Sequence, residues 1–187
     1  MKFLKWLKES KFKKTVLCVA LLLSLSFLLC GCIDGIMNII RDNILIIPDN
    51  ETIGEAKTFE KDEFSIVLTD KFVEIEEGKE GFHTYFASEF CGVFFFKEEF
   101  TVQQGFAEMS LEEYCQNVAD GITEADITPQ YKDGRWFCEM RANGNYSKMY
   151  FYKGNDAFWI VQFICGEANE DALKDIFYLW SEGVEIK

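Results

Sequence analysis

A two-residue turn, Asn143-Gly144, constrains the fold of this chain more than any other feature of its sequence. Asn-Gly is the preferred centre of a short hairpin, because both central residues of that turn adopt a positive φ. The register counted outward from the turn sets Trp136 opposite Phe151, Cys138 opposite Met149 and Glu139 opposite Lys148. The opposite charges of the last pair support this register. The sequence therefore predicts an antiparallel hairpin.

The segment after the hairpin extends it into a three-stranded meander. Gly154-Asn155-Asp156 indicates a turn into a third strand, Phe158 to Cys165. One side of the first hairpin strand is a predicted core face, and the other side is not plainly polar either: it carries Phe137, Tyr150 and Tyr152 beside basic residues. A sheet with one solvated face alternates more cleanly than this. We therefore expect both faces of the sheet to be covered.

Two helices are predicted to provide that cover. Ser110-Leu-Glu-Glu113 is a capping box, in which the serine and the glutamate satisfy each other's free backbone amides. A second helix near the C-terminus is predicted to be capped by Asn169 and to end at Gly183. Each helix has an apolar stripe at helical spacing: Leu111, Tyr114, Cys115 and Val118 in the first; Leu173, Ile176, Phe177 and Trp180 in the second.

The remaining strands are predicted upstream of the first helix. Phe64 to Leu68 has the composition of a strand, and Asp70-Lys71-Phe72 indicates a turn out of it. Glu74 to Gly81 is acidic and expected to be exposed. Phe82 to Phe86 and Cys91 to Phe96 are strand-like and rich in aromatic residues. The predicted fold class is therefore α+β, an antiparallel β-sheet with helices packed on both faces.

The N-terminus indicates export. Six lysines, the last of them Lys14, precede an uncharged apolar run from Thr15 to Cys30, which ends in Leu29-Cys30-Gly31-Cys32. This is the layout of a secretory signal. It resembles the lipobox of bacterial lipoprotein precursors, which implies cleavage before Cys32 and lipidation of that cysteine. The alternative is a retained transmembrane anchor, although the run spans only about 24 Å of a ~30 Å hydrocarbon core.

This interpretation divides the chain into three parts: a signal peptide (1–31), a membrane-proximal tether (32–57) and a domain (58–187). The tether contains many isoleucines, and an amphipathic helix at the membrane or a first strand docked on the domain remain alternatives for it. Without residues 1–31 the chain has thirteen Lys and Arg against thirty-one Asp and Glu, a formal net charge of −18. Such a charge excludes nucleic acid as a partner and disfavours anionic lipids and wall polymers.

From about Thr58 to the end, the order of elements resembles the Mog1/PsbP-like α-β-α sandwich. The resemblance depends on the segment Phe64 to Asp70, the aromatic strands, the helix opened by Ser110, three antiparallel strands and a C-terminal helix. Asp70 replaces the proline often found after the first long strand. This superfamily includes photosystem accessory subunits, a nuclear-transport factor and many bacterial lipoproteins. The resemblance implies a binding scaffold without a shared active site, so no functional residue is carried over.

The sequence offers little catalytic or metal-binding chemistry. His83 is the single histidine, and with Cys91 it could form a base and a nucleophile, but nothing local supports that pairing. A zinc site needs cysteines and histidines at short spacing, whereas Cys91, Cys115, Cys138 and Cys165 are scattered. No calcium-binding loop motif occurs. We therefore expect no enzymatic activity, no catalytic residue, no metal site and no cofactor.

The same four cysteines raise the question of disulfides, which export usually permits. The predicted register puts Cys138 and Cys165 two strands apart, roughly 9.6 Å, beyond the ~7 Å that a disulfide tolerates between Cα atoms. A bridge from Cys115 on the helix would have to span a layer spacing near 10 Å. Cys91 could still pair with a neighbouring strand. We therefore predict that Cys138 and Cys165 do not bond each other and that most of these thiols are buried and reduced.

These inferences predict a lipoprotein held on the extracytoplasmic face of the cell membrane through Cys32. We expect it to act as a non-enzymatic binding or accessory domain for an envelope protein. The alternative is a small-ligand-binding module with a cavity between helix and sheet. A pocket lined by convergent polar groups would favour the alternative, and a flat, aromatic, uncovered patch would favour the first interpretation.

Overall fold

A computed structural model describes residues 54–75, 82–102, 104–122 and 127–187. The predicted signal peptide, the predicted lipidation site Cys32 and the tether up to residue 53 lie outside these ranges. Most of the acidic stretch between the second and fourth strands also lies outside them.

The described residues form ten strands and two α-helices. The strands are β1 (Ala56–Glu60), β2 (Phe64–Thr69), β3 (Val73–Glu74), β4 (Thr84–Ala87), β5 (Cys91–Glu99), β6 (Gln130–Lys132), β7 (Arg135–Ala142), β8 (Asn145–Lys153), β9 (Ala157–Gly166) and β10 (Glu185–Ile186). The helices are α1 (Leu111–Gly121) and α2 (Glu170–Glu182).

All strand pairs are antiparallel and belong to two sheets. The larger sheet has the order β3-β4-β5-β9-β8-β7-β6, and the smaller one has the order β1-β2-β10. The predicted α+β class and the antiparallel pairing are therefore confirmed. β5 is longer than predicted because it lies between β4 and β9 and pairs with β9 along its whole length, from Cys91–Cys165 to Glu99–Ala157.

The hairpin predicted from Asn143-Gly144 is confirmed in every paired residue. Ala142 faces Asn145, Trp136 faces Phe151 and Cys138 faces Met149. Asn143 and Gly144 have φ of 53° and 76°, as this turn requires. The predicted charge pair also forms, with Lys148 Nζ 3.0 Å from a carboxylate oxygen of Glu139.

Several of these pairings were not predicted, among them those of β6 and β10. β6 and β7 form a second hairpin around Asp133-Gly134, whose φ values of 49° and 82° match those of the first turn. Asp-Gly is an established signal for this turn, so the sequence did contain it. β10 pairs with β2, and eighteen residues lie between the end of β9 and the start of β10. The predicted strand Phe82–Phe86 is also displaced, since β4 covers Thr84–Ala87.

The two helix starts differ. The capping box is confirmed at α1: Ser110 Oγ accepts from the Glu113 amide at 3.2 Å, and the Ser110 amide donates to Glu113 Oε2 at 2.9 Å. Asn169 stands at the predicted cap of α2, but its side chain makes no capping hydrogen bond, because a 3₁₀ turn (Glu167–Asn169) runs directly into the helix. Gly183 follows α2 as predicted.

The buried side chains form two clusters that alternate along the strands of the large sheet. Phe158 and Ile160 of β9 belong to a cluster with residues of α1, which we call the α1 cluster. Trp159 and Val161 belong to a cluster with residues of α2 and of β2, which we call the α2 cluster. Successive side chains of a strand point to opposite faces of its sheet, so the two clusters lie on different faces of β9.

Candidate functional site

One concave surface in the described part of the chain is a groove beside the N-terminal half of α1. It has a volume of about 510 Å³ and is open to solvent. One wall belongs to the segment before α1 and the other to the first two turns of the helix. Its lining residues are Gly105, Glu108, Met109, Glu113, Gln116 and Asn117.

The capping box fixes one carboxylate of this groove. Glu113 Oε2 accepts hydrogen bonds from both the amide and the hydroxyl of Ser110, each at 2.9 Å. Both bonds lower the pKa of Glu113, the bond from the backbone amide by more than the bond from the hydroxyl. The Glu113 carboxylate therefore stays ionised. Two further contacts order the wall, since Asn117 Nδ2 lies 3.6 Å from the Met109 sulfur and Gln116 donates to Asp120 at 2.7 Å. The groove is thus an ordered, negatively charged surface.

The layer beneath α1 is filled. Tyr114 stacks on Phe158 with 4.1 Å between the ring centroids and an interplanar angle of 6°. Phe106 packs edge-on against both of these rings. Phe151 completes the contact with Tyr114 at 6.1 Å. The groove therefore lies over a packed aromatic layer.

A buried carboxyl group, Glu98, lies within that layer. It is 7% exposed, and its Oε2 accepts a hydrogen bond from the Tyr114 hydroxyl at 3.1 Å. Its Oε1 has no hydrogen-bond partner among the described residues. Desolvation raises the pKa of Glu98 from the ordinary 4.5 to about 7, although the Tyr114 hydrogen bond opposes the shift. Burial also raises the pKa of Tyr114 well above its usual value. Glu98 therefore binds a proton near neutral pH.

The four cysteines of the domain, scattered in sequence, come together as two pairs. Cys115 of α1 and Cys138 of β7 have their sulfur atoms 3.8 Å apart. Cys91 and Cys165 are directly opposite each other on β5 and β9. All four are buried free cysteines, as predicted, and Cys138 and Cys165 lie in different clusters.

A bridge from Cys115 to the sheet was expected to be unfavourable across a layer spacing near 10 Å, and the structure shows that the Cys115 and Cys138 side chains are nevertheless in contact. The ~10 Å spacing separates layer centres, whereas the Cα atoms of a helix lie about 2.3 Å from its axis. Side chains of both layers also point into the space between them, which is where Cys115 and Cys138 meet. The hydrogen bond with Cys138, followed by burial, raises the pKa of Cys115.

The structure does not bring His83 and Cys91 together. The amide of His83 donates to the carbonyl of Phe95, which is four residues, or about 13 Å, along β5 from Cys91. His83 Nε2 instead contacts a carboxylate oxygen of Glu63 at 3.1 Å. Burial raises the pKa of Cys91 to about 12, which suppresses its nucleophilic thiolate form.

A network of charges surrounds His83 at the join between the two sheets. Glu63, which contacts His83, is also paired with Lys97, and Lys97 bonds Asp156 at 3.0 Å. The Lys97 ammonium lies 5.5 Å from the centre of the Trp159 ring. These contacts connect β5, the turn before β9 and the segment before β2, and so contribute to holding the small sheet on the large one.

The described residues contain neither a metal-ligating cluster nor a membrane-spanning helix. No group of three or more histidine, cysteine, aspartate or glutamate residues there is placed to hold a metal ion. No helix in the same part of the chain is long and apolar enough to cross a membrane.

The chain was compared with known protein families, curated proteins and solved structures. No known family matches it. No curated protein matches it either. Among solved structures, it is similar to the solution structure of cyanobacterial PsbP (CyanoP) from Synechocystis sp. PCC 6803. The match has a TM-score of 0.52 at 7% sequence identity, and it covers 76% of this chain and 99% of that chain.

The fold is PsbP-like. The resemblance inferred from the order of elements is confirmed at the level of fold, and the low identity limits the similarity to fold alone. Within this PsbP-like fold, sequence reasoning missed the groove and Glu98. A signal existed for Glu98, because the period-two alternation of Phe94 and Phe96 continues to that position on the same face of β5.

Proposed function

We propose that this protein is an extracytoplasmic lipoprotein, anchored to the cell membrane through Cys32, whose PsbP-like domain is a non-enzymatic binding or accessory domain for an envelope protein. The anchor is supported by the lysine-rich start, the apolar run and the Leu29-Cys30-Gly31-Cys32 sequence. We infer in addition that α1 and α2 lie on opposite faces of the large sheet, because residues of the two clusters alternate along β9.

The binding proposal depends mainly on the position of the groove relative to α1. It opens to solvent on the outer side of α1, while the space between α1 and the sheet is filled by stacked aromatic rings. A small-ligand module would need an enclosed cavity in that space. A shallow, ordered, solvent-facing groove fits an extended protein segment better.

The charge of the groove indicates the chemistry of that segment. Glu108 and Glu113 line the groove, and Glu112 and Asp120 are exposed on the same helix. The domain as a whole is acidic, so its field attracts basic partners and repels acidic ones. We therefore propose that the partner presents a basic, exposed segment to α1.

The anchor is tested by metabolic labelling with radioactive palmitate. Cys32→Ala should abolish labelling and leave an unprocessed precursor, because the acceptor thiol is lost. Cys30→Ala is the matched control: it removes the neighbouring thiol but keeps the acceptor, so labelling should persist. Labelling of the Cys32→Ala protein, or its loss in both variants, would contradict anchoring at Cys32.

The groove is tested with a photo-crosslinking amino acid placed at Gln116 in the full-length protein in its own cells. We expect a discrete crosslinked protein in the membrane fraction, and we expect Glu108→Lys to weaken the crosslink several-fold by reversing one groove charge. The matched control places the same group at Asp175, which is exposed on α2. Equal crosslinking of one protein from both positions, or none from Gln116, would contradict a partner at the groove.

A further inference from the structure

The strongest unassigned feature of the described structure is the thiol pair beneath α1. The Cys115 and Cys138 sulfur atoms are 3.8 Å apart, and both residues are fully buried. Cys115 projects from the second turn of α1, and Cys138 projects from the middle of β7, where it faces Met149. No sequence pattern predicts this contact, since twenty-three residues separate the two cysteines.

We propose that Cys115 and Cys138 form a disulfide that fastens α1 to the large sheet. Each thiol loses one proton and one electron, and a sulfur–sulfur bond replaces the two S–H bonds. The oxidant is a disulfide, which accepts both electrons and both protons and becomes two thiols. Oxidised glutathione serves in the test, and a thiol–disulfide oxidoreductase of the envelope would serve in the cell.

Cys115 and Cys138 are in contact, and no other cysteine of the domain belongs to the α1 cluster. A disulfide needs a sulfur–sulfur distance of about 2.05 Å, and the two sulfur atoms already face each other at 3.8 Å in the space between α1 and β7. The other two cysteines of the domain belong to the α2 cluster, across the sheet, so neither competes for Cys115 or Cys138 in the folded chain. Cys91 Sγ contacts the Ser88 hydroxyl at 3.5 Å.

The bridge would act on the groove, and in this respect the inference goes beyond the proposed function. α1 forms one wall of the groove, and the side chains of Tyr114, Cys115 and Val118 hold it on the sheet. A covalent link between Cys115 and Cys138 fixes that wall in position. The groove is then pre-organised for a partner.

The full-length chain, purified in detergent, is unfolded and refolded with oxidised and reduced glutathione, and its remaining thiols are blocked. Tryptic digestion then separates the four cysteines of the domain onto different peptides. We expect a linked pair of peptides carrying Cys115 and Cys138. We also expect the oxidised chain to melt about 10 °C above the reduced one, because the bridge restricts the unfolded state.

Matched variants identify the bond. Cys115→Ser should leave Cys138 open to alkylation after denaturation, whereas Cys91→Ser should leave the linked peptides intact. The proposal fails if near-ultraviolet circular dichroism shows a folded chain in which both thiols are alkylated, or in which Cys115 is linked to another cysteine. The same mapping on protein taken directly from membranes, with thiols blocked at harvest, gives the answer without refolding, and absence of the linked peptides there would equally overturn it.

Discussion

The α1 and α2 clusters share one sheet but are covered in different ways. α2 and the small sheet together close the α2 cluster, with Phe64, Ile66 and Leu68 contributed by β2 alone. The α1 cluster is closed by a single α-helix and the segments around it, and it encloses a buried carboxyl group, whereas each of the two clusters contains one pair of cysteines.

The two clusters also differ in the side chains that they enclose. Aromatic rings fill the α2 cluster: Phe177 lies parallel to Tyr146 and near-parallel to Phe163. Such packing stabilises the fold and leaves no titratable carboxyl group inside. On the α1 side, Glu98 and Cys115 depend on one helix for their environment, and the groove lies on that helix. The one buried carboxyl group among the described residues, that of Glu98, is thus on the side of the sheet that carries the groove.

The largest effect is expected from removing the centre of the α2 cluster. Phe177→Ala should lower the free energy of unfolding by about 3–5 kcal/mol, because it deletes a fully buried ring and leaves a cavity. Denaturant unfolding measures this loss. Leu179→Ala on the same helix is the control, since its side chain is 61% exposed and should cost roughly 0.5 kcal/mol or less. Equal losses in the two variants would mean that the α2 cluster does not pack around Phe177.

The next largest effect is a dependence of stability on pH, caused by the buried Glu98. The pKa of Glu98 is about 7 in the folded state against 4.5 ordinarily, so the folded state binds the extra proton between these values. The stability gained from that proton is complete below pH 4.5 and is lost as the pH rises through 7. The free energy of unfolding should therefore fall by about 3 kcal/mol as the pH rises from below 4.5 to above 7, since each pKa unit corresponds to about 1.4 kcal/mol.

Glu98→Gln should remove this pH dependence, because glutamine cannot ionise and its side-chain oxygen still accepts from Tyr114. Unfolding measured at pH 4.5 and pH 8 in both proteins tests it. Glu112→Gln changes an exposed residue of α1, and the free energy of unfolding of this variant should vary with pH as it does in the parent protein. If the free energy of unfolding of Glu98→Gln varies with pH as much as that of the parent protein, Glu98 does not retain its proton in the folded state.

The smallest effect is expected at the start of α1. Ser110→Ala removes the oxygen that accepts from the Glu113 amide and should cost about 1 kcal/mol of stability. Ser110→Asp keeps a capping acceptor and is the matched comparison, with a loss of a few tenths at most. Chemical unfolding ranks the two variants. If both lose equal stability, the cap does not hold the groove helix in place.

Local signals predicted the parts of the fold in which neighbours in sequence decide the outcome. Asn143-Gly144 set the register of β7 and β8, and Ser110 with Glu113 set the start of α1. Asp133-Gly134 was an equally local signal that was not used. The site was less predictable, because the groove combines α1 with the segment before it, and nothing in the spacing of Glu108 and Gln116 indicates a common surface.

The sequence by itself determined the hairpin and the capped helix, because each of them depends on residues within a few positions of one another, and its composition alone determined the acidic net charge. Only the tertiary structure decided that β5 lies beside β9, that β10 joins β2, that Glu98 is buried under Tyr114 and that Cys115 meets Cys138. These contacts join segments sixteen to more than one hundred residues apart. They form because burying the aromatic faces of the sheet brings distant elements together, and no local preference specifies which distant side chains then meet.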